Sequence, residues 1–255
     1  MRMIEAINER LNAACWRRLD LRWRLRSGVE IAVRSRAEWV IYNDIFVEGE
    51  YDEPLRRAIA DCPPGQDLRI LDLGANVGYF GLRAFDRVAA AGPRGPRIML
   101  TMVEGSPAVF NELQQRMRQP RCDGGVHLVS GLAGHRTGSA EIVQGPFHVE
   151  NRVVKRRQPG TVTVAYVDLD ALLDPGAVVD LLKCDIEGGE QDLIDGYPAL
   201  LARTRRAVFE LHPGKCDVPH CLAALERAGL TSSLTLRETP QFSVRLFENP
   251  RLRRG

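Results

Sequence analysis

From residue 68 onward, short apolar runs alternate with stretches of helical composition. The first run, residues 68–73, stops at Gly74, and the helical stretch 77–91 stops at Gly92 and Pro93. Such alternation predicts an α/β fold, with a mostly parallel sheet covered by helices on both faces. Ligands of such folds bind beyond the carboxyl ends of the strands. Further strands are predicted at residues 97–103, 126–130, 178–184, 206–211, 230–236 and 242–247, and helices at 106–118, 190–201 and 219–228.

The chain divides at about residue 60. Residues 1–60 are predicted to form a helical and strand extension, for which a role as a lid is left open, and residues 61–255 form the main domain with an inserted hairpin around 138–166. Within the extension, residues 1–27 are predicted to form an arginine-rich amphipathic helix. Short strands are expected at 29–33 and 39–42, before a segment 44–59 that leads into a helix. A solvated helix that caps the domain is favoured over a basic arm for an anionic surface.

The segment after the first predicted strand carries a carboxylate and two glycines. Asp72 ends the strand, and Gly74 and Gly78 follow with Asn76 between them. Glycines let the backbone approach a ligand closely, and the amide dipoles of the next helix point at it. The spacing departs from GxGxxG, which disfavours a dinucleotide pyrophosphate. An acid here suits a ligand with ammonium or hydroxyl groups, although a tight turn with an incidental aspartate is the alternative.

A second carboxylate, Glu104, ends the second predicted strand 32 residues after Asp72. Such an acid can accept hydrogen bonds from both hydroxyls of a ribose. Alone, Glu104 could merely stabilise the start of the next helix, for which Ser106 is the predicted N-cap. Two acids at the ends of adjacent strands favour an amino-acid-bearing nucleoside as the ligand.

The chain resembles the FkbM family of class I S-adenosylmethionine-dependent methyltransferases. The resemblance spans a little over half of the chain and is carried by five motifs: ILDLGANVGYF (70–80), VEGSP (103–107), VDLDALL (167–173), LKCDIEGGE (182–190) and FELH (209–212). It implies a Rossmann-like class I methyltransferase fold, with a mostly parallel seven-stranded sheet, helices on both faces and an antiparallel last strand. It also implies transfer of a methyl group from S-adenosyl-L-methionine, usually to a hydroxyl of a small molecule, sugar or natural product.

The resemblance also implies roles for single residues. Asp72 and Gly74 would lie beside the methionine part of the cofactor, together with Asp185, and Glu104 would bind the ribose. Asn76 and Gly78 would shape the loop. The family usually has Glu-Pro-Asn where this chain has Glu104, Gly105 and Ser106, and the adenine would lie near Gly105, Ser106, Ser130 and Leu132. A tyrosine–acid step at Tyr51 resembles one that the family often has, which suggests a lid or a cofactor contact.

An acidic cluster after the fourth predicted strand supplies the candidate catalytic residues. Asp185 and Glu187 could hold the acceptor, act as general base, or bind a hard divalent cation. Glu190 is expected to be structural, as a favourable charge in the first turn of a helix. His212, after the fifth strand, has a near-neutral ordinary pKa and could take a proton from a hydroxyl, or simply be hydrogen-bonded there.

Composition excludes several other classes. A net charge of +2 gives no global attraction to nucleic acid. Six scattered cysteines without a CxxC pair disfavour both a disulfide scaffold and zinc at His212, Cys216, His220 and Cys221. A divalent metal is therefore left open and no metal site is assigned. The sequence shows no signal peptide and no apolar run of membrane-spanning length, so a cytoplasmic protein with a small-molecule or glycan acceptor is expected.

Two alternatives remain open from the sequence. A non-catalytic protein that binds the cofactor or acts as a scaffold on the same fold would share all of these motifs. A homodimer is equally compatible with the sequence.

Overall fold

A seven-stranded sheet forms the centre of the molecule. The computed structural model describes residues 15–16, 18–19, 21–122, 125–143, 152–154 and 159–253. The strand order is β11-β12-β10-β9-β3-β4-β5, in which β12 is antiparallel to its neighbours and β10, β9, β3, β4 and β5 are mutually parallel. These strands are β3 (Asp67–Leu73), β4 (Arg97–Glu104), β5 (Val126–Ser130), β9 (Leu181–Cys184), β10 (Arg206–Leu211), β11 (Ser232–Glu238) and β12 (Ser243–Glu248). The predicted Rossmann-like fold with an antiparallel last strand is confirmed.

Seven α-helices surround this sheet in the described part of the chain. They are α1 (Arg36–Tyr42), α2 (Asp52–Asp61), α3 (Tyr79–Ala90), α4 (Pro107–Met117), α5 (Glu190–Gly196), α6 (Pro198–Ala202) and α7 (Val218–Arg227). A π-helical segment, Asn43–Val47, continues α1, and short 3₁₀ turns lie at Pro120–Cys122, Leu169–Leu172 and Pro250–Leu252. The single helix predicted over 190–201 is two helices, because Pro198 cannot continue the backbone hydrogen bonds of α5.

The strand predicted at residues 39–42 is wrong, since this segment is helical. Ser35 is the N-cap of α1, and its hydroxyl accepts a hydrogen bond from the Glu38 backbone N–H at 3.1 Å. The Glu38 carboxylate in turn accepts from the Arg34 backbone N–H at 2.9 Å. This reciprocal arrangement resembles a capping box, and it outweighs the strand propensity of the following Trp39–Tyr42 segment.

The N-terminal segment contains a two-stranded antiparallel sheet of β1 (Leu21–Arg24) and β2 (Glu30–Val33). The prediction of one helix over residues 1–27 is therefore wrong at its C-terminal end, because β1 alternates outward arginines with inward apolar side chains. Cys15, Trp16, Arg18 and Leu19 are helical. Residues 1–14, 17 and 20, on which the rest of that prediction falls, lie outside the described residues.

A small antiparallel sheet follows β5 in the chain. It consists of β6 (Ser139–Val143), β7 (Arg152–Val154) and β8 (Thr161–Ala165) in the order β7-β6-β8. It occupies the segment for which an inserted hairpin was predicted, although residues 144–151 and 155–158 lie outside the described part. An isolated bridge between Leu132 and Tyr166 connects it to the end of β5.

The apolar core lies on both faces of the central sheet. Ile70 of β3 packs in one cluster with Leu100 and Phe80, whereas the adjacent Leu71 packs in the other with Leu182. A strand that is buried on both faces is apolar at successive positions, as β3 is at Ile70 and Leu71. The two apolar clusters cover the faces of the sheet, so the polar residues at the strand ends lie at its carboxyl edge, where a ligand can reach them. Within the described residues, no helix combines the length and apolar character needed to cross a bilayer.

Candidate active site

A cavity of about 780 Å³ opens at the carboxyl edge of the central sheet. Its volume lies within the range of about 300–1,000 Å³ that is usual for small-molecule and cofactor sites. One side is formed by the segments that follow β3, β4, β5 and β9. The opposite side is formed by α1, its π-helical continuation, Tyr51 and the β11–β12 hairpin. The cavity therefore lies between the sheet and the N-terminal extension.

The loop after β3 requires glycine at its first position. Gly74 has a φ of +73°, and a Cβ atom on it would lie 1.8 Å from the Asp185 carbonyl oxygen. The N–H groups of Gly74 and Ala75 both donate to the Val103 carbonyl at 3.0 Å, which fixes the turn against β4. Asn76 has a φ of +50°, and its side-chain oxygen accepts from the Val77 N–H at 2.8 Å. Gly74 and Asn76 both line the cavity.

Asp72 is sealed beneath this loop and does not reach the cavity. Its side chain is completely buried, and its nearest charged partner is Lys183, whose Nζ lies 3.4 Å from Oδ1. The same Nζ donates to the Gly74 carbonyl at 2.7 Å and lies 3.7 Å from Asp185 Oδ2. Lys183 lines the cavity and Asp72 does not, so the contact of Asp72 with a cofactor stays a prediction.

Burial and charge act in opposite directions on this pair. Burial raises the pKa of Asp72, and the nearby Lys183 ammonium opposes that rise. Burial also lowers the pKa of Lys183, but the Asp72 and Asp185 carboxylates outweigh it and hold the pKa above its ordinary value. Lys183 thus stays charged, and it links the end of β3 to the end of β9 through the loop carbonyl.

Glu104 lies at the cavity wall where β4 ends, and only 9% of its surface is exposed. One carboxylate oxygen accepts from the Asn76 N–H at 2.9 Å, and the other accepts from the Ser106 N–H at 2.7 Å. Burial raises the pKa of Glu104, while these two backbone hydrogen bonds oppose the rise. Each oxygen keeps an acceptor site for a ligand hydroxyl.

The residues predicted to border an adenine are only partly brought together. Gly105, Ser106 and Leu132 line the cavity, and a Cβ on Gly105 would lie 2.7 Å from Leu132 Cδ2, so a larger residue there would require the leucine side chain to shift. Ser130 does not line it, because this last residue of the edge strand β5 is exposed. Gly78 also lies outside the cavity and faces Leu113 and Met117 beneath the start of α3.

The loop after β9 places its acids in different surroundings. Asp185 and Glu187 both line the cavity. Glu187 has a φ of +58° and forms an ion pair with Lys215, so its carboxylate is already partnered. Glu190 is fully buried, and its carboxylate accepts from the N–H groups of Ile186 and Gly188 at 3.2 and 3.1 Å. Glu190 therefore holds the loop in shape.

His212 lies behind the cavity wall and not in it. Its Nε2 atom is 3.3 Å from Glu210 Oε1, and its ring contacts Phe242. Direct proton removal by His212, as predicted from the sequence, is not supported, because Glu210 and Phe242 line the cavity in its place. In the part of the chain that the structure describes, no group of three or more His, Cys, Asp or Glu side chains is placed to hold a metal ion. His220 instead bonds to Asp195 at 2.7 Å.

Several charged cavity residues were missed from the sequence, and Lys183 and Glu210 are two of them. Lys183 had a visible signal, because it is one of only three lysines in the chain and interrupts an apolar run. Glu210 lies in the FELH motif but was passed over in favour of the histidine. A third feature, Arg237, bonds to Asp44 at 2.8 Å and to Glu50 at 3.1 Å, and these three residues close the far side of the cavity. Arg237 is 193 positions from Asp44 and 187 from Glu50, so no local sequence pattern reports these contacts.

A comparison with protein families assigns the chain to a class of methyltransferase. The family model described as "Methyltransferase FkbM domain" matches residues 72–230. The chain therefore belongs to the FkbM family of class I S-adenosylmethionine-dependent methyltransferases, as the resemblance of its motifs predicted. No curated protein sequence matches the chain.

Solved structures align with this chain at low sequence identity. The METTL16 methyltransferase domain aligns over 89% of this chain and 86% of its own, with a TM-score of 0.50 and 13% identity. Fibrillarin from Aeropyrum pernix, solved with bound S-adenosyl-L-methionine, aligns over 90% of this chain and 82% of its own, with a TM-score of 0.46 and 18% identity. Magnesium protoporphyrin IX methyltransferase from Synechocystis aligns over 96% of both chains, with a TM-score of 0.45 and 13% identity.

Proposed function

We propose that this protein transfers the methyl group of S-adenosyl-L-methionine to a hydroxyl of a small molecule, sugar or natural product. The observation that carries the proposal is the division of the cavity into two unlike halves. The loops after β3 and β4 form a narrow, glycine-lined half that ends on the Glu104 carboxylate. The other half carries further carboxylates and aromatic rings.

The first half fits the donor nucleoside. A Cβ at Gly74 would collide with the Asp185 carbonyl, so this glycine lets the loops after β3 and β9 approach each other at the cavity wall. Glu104 retains acceptor sites for the two hydroxyls of a ribose. Leu132 and Ile142 add an apolar surface suited to an adenine. The Asp185 carboxylate offers a partner for the ammonium group of the methionine part.

When bound, S-adenosyl-L-methionine supplies an electrophilic methyl group on a sulfonium sulfur. The chain's own contribution is to hold the acceptor oxygen in line with that methyl group, to exclude water and to accept a proton. Alignment alone can supply several kcal/mol, roughly 7–11 in well-oriented systems. Asp72 acts as a positioning residue here, because its carboxylate fixes Lys183, which in turn holds the Gly74 carbonyl.

The second half fits an acceptor rich in hydroxyl groups. Asp185, Glu187 and Glu210 face it, and these carboxylates repel phosphates but accept hydrogen bonds from hydroxyls. Tyr51 and Phe242 add ring surfaces, and the Arg237 cluster with Asp44 and Glu50 closes the far end. These features favour a neutral or cationic small molecule or glycan over nucleic acid.

Donor binding is tested by calorimetric titration with S-adenosylhomocysteine, the demethylated product. Glu104→Gln should weaken binding by roughly 10–100-fold, because a hydrogen bond to a charged group contributes about 1.5–3 kcal/mol. The matched control is Glu226→Gln, which removes the charge of an exposed glutamate on α7. It should bind as the parent does. Absence of binding to the parent protein would remove the proposal.

The acceptor is sought by incubating the protein with a metabolite extract and isotopically labelled donor. Mass spectrometry should detect a labelled methyl ether, and parallel samples with a chelator report on the metal question. A parent protein that binds the nucleoside but labels no component of any extract would favour the non-catalytic alternative.

A further inference from the structure

Glu210 is brought to the cavity by the parallel pairing of β9 and β10. Phe209 of β10 lies opposite Cys184 of β9, so Glu210 and Asp185 follow at the same level of the sheet. Phe209 and Cys184 point into the core on one face. Because side chains alternate along a strand, Glu210 and Asp185 both leave that core, and both line the cavity.

The surroundings of Glu210 give its carboxyl group an unusual affinity for a proton. Burial raises the pKa of Glu210 to about 7, the hydrogen bond with His212 opposes this rise, and the negative charge of Asp185 adds to it. Only 15% of the side chain is exposed. A general base works best when its pKa lies near the operating pH.

His212 forms the rear of this arrangement. Its side chain is 10% exposed, and its Nε2 is 3.3 Å from Glu210 Oε1. The other ring nitrogen, Nδ1, is buried and finds no hydrogen-bond partner among the described residues. In a neutral ring whose Nε2 donates its hydrogen to Glu210, Nδ1 carries no hydrogen. Burying such a nitrogen without a partner costs less than burying an N–H group without an acceptor. The hydrogen bond to Glu210 also raises the pKa of His212.

We propose that Glu210 is the general base of the methyl transfer and that His212 is its positioning residue. The inference rests on the proposed function and names the residue that accepts the proton of the acceptor hydroxyl. As the bond between the acceptor oxygen and the methyl carbon forms, the carbon–sulfur bond breaks and its electron pair stays on sulfur. The acceptor hydroxyl releases its proton to a carboxylate oxygen of Glu210. His212 holds Oε1 of Glu210, which leaves the second carboxylate oxygen to accept the proton.

Other charged groups around Glu210 affect its titration. Asp185 and Lys183 face it from β9, and Glu50 faces it from the segment before α2. His212 itself also lies 3.8 Å from Glu187, and Lys215 is close enough to lower its pKa. The negative charges of Asp185 and Glu50 raise the pKa of Glu210.

The test compares Glu210→Gln with the exposed control Glu226→Gln. With the labelled donor and a metabolite extract as the acceptor pool, Glu210→Gln should lose at least about 100-fold of the transfer rate, the lower end of what a general base contributes. S-adenosylhomocysteine should bind to it as to the parent. A second readout is independent of activity: carbon NMR of carboxyl-labelled glutamates should show one resonance that titrates near pH 7 and is missing from Glu210→Gln.

His212→Leu tests the positioning role. Because the His212 hydrogen bond lowers the pKa of Glu210, its loss should move the titration of the Glu210 resonance, and the acid limb of the transfer rate, to higher pH. A purely structural histidine would change stability without moving either.

Transfer by Glu210→Gln at the parent rate, or survival of the resonance near pH 7 in that variant, would overturn the assignment of Glu210. An unmoved titration in His212→Leu would overturn the role of His212. A parent protein that binds no nucleoside would instead overturn the proposed function, and the role of Glu210 with it.

Discussion

Replacing Gly74 by alanine should damage both the stability and the donor site of this protein. The new Cβ would face two penalties. At a φ of +73°, an L-residue costs about 1–2 kcal/mol more than glycine. The Cβ would also lie 1.8 Å from the Asp185 carbonyl oxygen, which is backbone and cannot rotate away. Forcing extra atoms into a packed site costs about 1–3 kcal/mol more, so the total loss is about 2–5 kcal/mol.

The chain provides a matched control in Gly65. Its φ is also +73°, but nothing lies within 4 Å of the place that its Cβ would take. Gly65→Ala should therefore carry only the conformational penalty, and any entropic effect of alanine on the unfolded chain is common to both variants. The difference between the two variants isolates the collision with Asp185, about 1–3 kcal/mol.

Urea unfolding measures the stability of both variants, and calorimetric titration with S-adenosylhomocysteine measures the site. Gly74→Ala should bind at least about tenfold more weakly, equivalent to about 1.4 kcal/mol, because the loop must move away from Asp185. Gly65→Ala should bind as the parent does. If the two variants lose equal stability and bind equally well, the close approach of the β3 and β9 loops is not what shapes the cavity.

Three further outcomes are expected. Asp72→Asn should lower the free energy of unfolding by about 3 kcal/mol, as measured by urea unfolding. This is the lower end of the cost of breaking a buried ion pair, because Asp185 remains near Lys183. In calorimetric titration, Ser130→Ala should leave binding of S-adenosylhomocysteine unchanged, whereas Leu132→Ala should weaken it, since only Leu132 lines the cavity. Between pH 4.5 and pH 8, the parent should lose roughly 3 kcal/mol more of its unfolding free energy than Glu210→Gln does.

The sign of the last prediction follows from the direction of the pKa shift. The folded state holds the Glu210 proton up to about pH 7, whereas the unfolded chain releases it near 4.5. The stabilising effect of the neutral carboxyl is present below the lower value and is lost as the pH rises through the higher one. A glutamine has no proton to lose, so its stability does not fall over that window for this reason. Equal pH dependence of both proteins would contradict the assigned environment.

Local patterns predicted most of the sheet correctly, because a strand buried on both faces must be apolar at successive positions. The strand expected at 206–211 is β10 with the same bounds, and Gly74 could be predicted to lie in a ligand loop because glycine spacing reports backbone conformation directly. The helix of Trp39–Tyr42 was missed because it depends on the hydrogen bonds between Ser35 and Glu38, which compete with aromatic strand propensity.

The position of Asp72 at the end of a strand does not determine which residue it contacts. Position along β3 correctly places Asp72 at the carboxyl edge, but the cross-strand register places Lys183 of β9 directly opposite it. Those residues are 111 positions apart, so no local pattern reports the pairing. Asp72 forms an ion pair with this lysine, whose ammonium group also donates to the Gly74 carbonyl, so the charge of Asp72 acts on the loop.

The sequence alone favours His212 over Glu210 as a base. The ordinary pKa of histidine is near neutral, whereas glutamate in water is already ionised at neutral pH. Burial reverses that order of suitability. In the fold, Glu210 is the residue that lines the cavity and has a pKa of about 7, and His212 lies behind it. The pKa of a group in this site depends on its burial and on neighbouring charges. Assigning the base therefore requires the positions of both residues relative to the cavity.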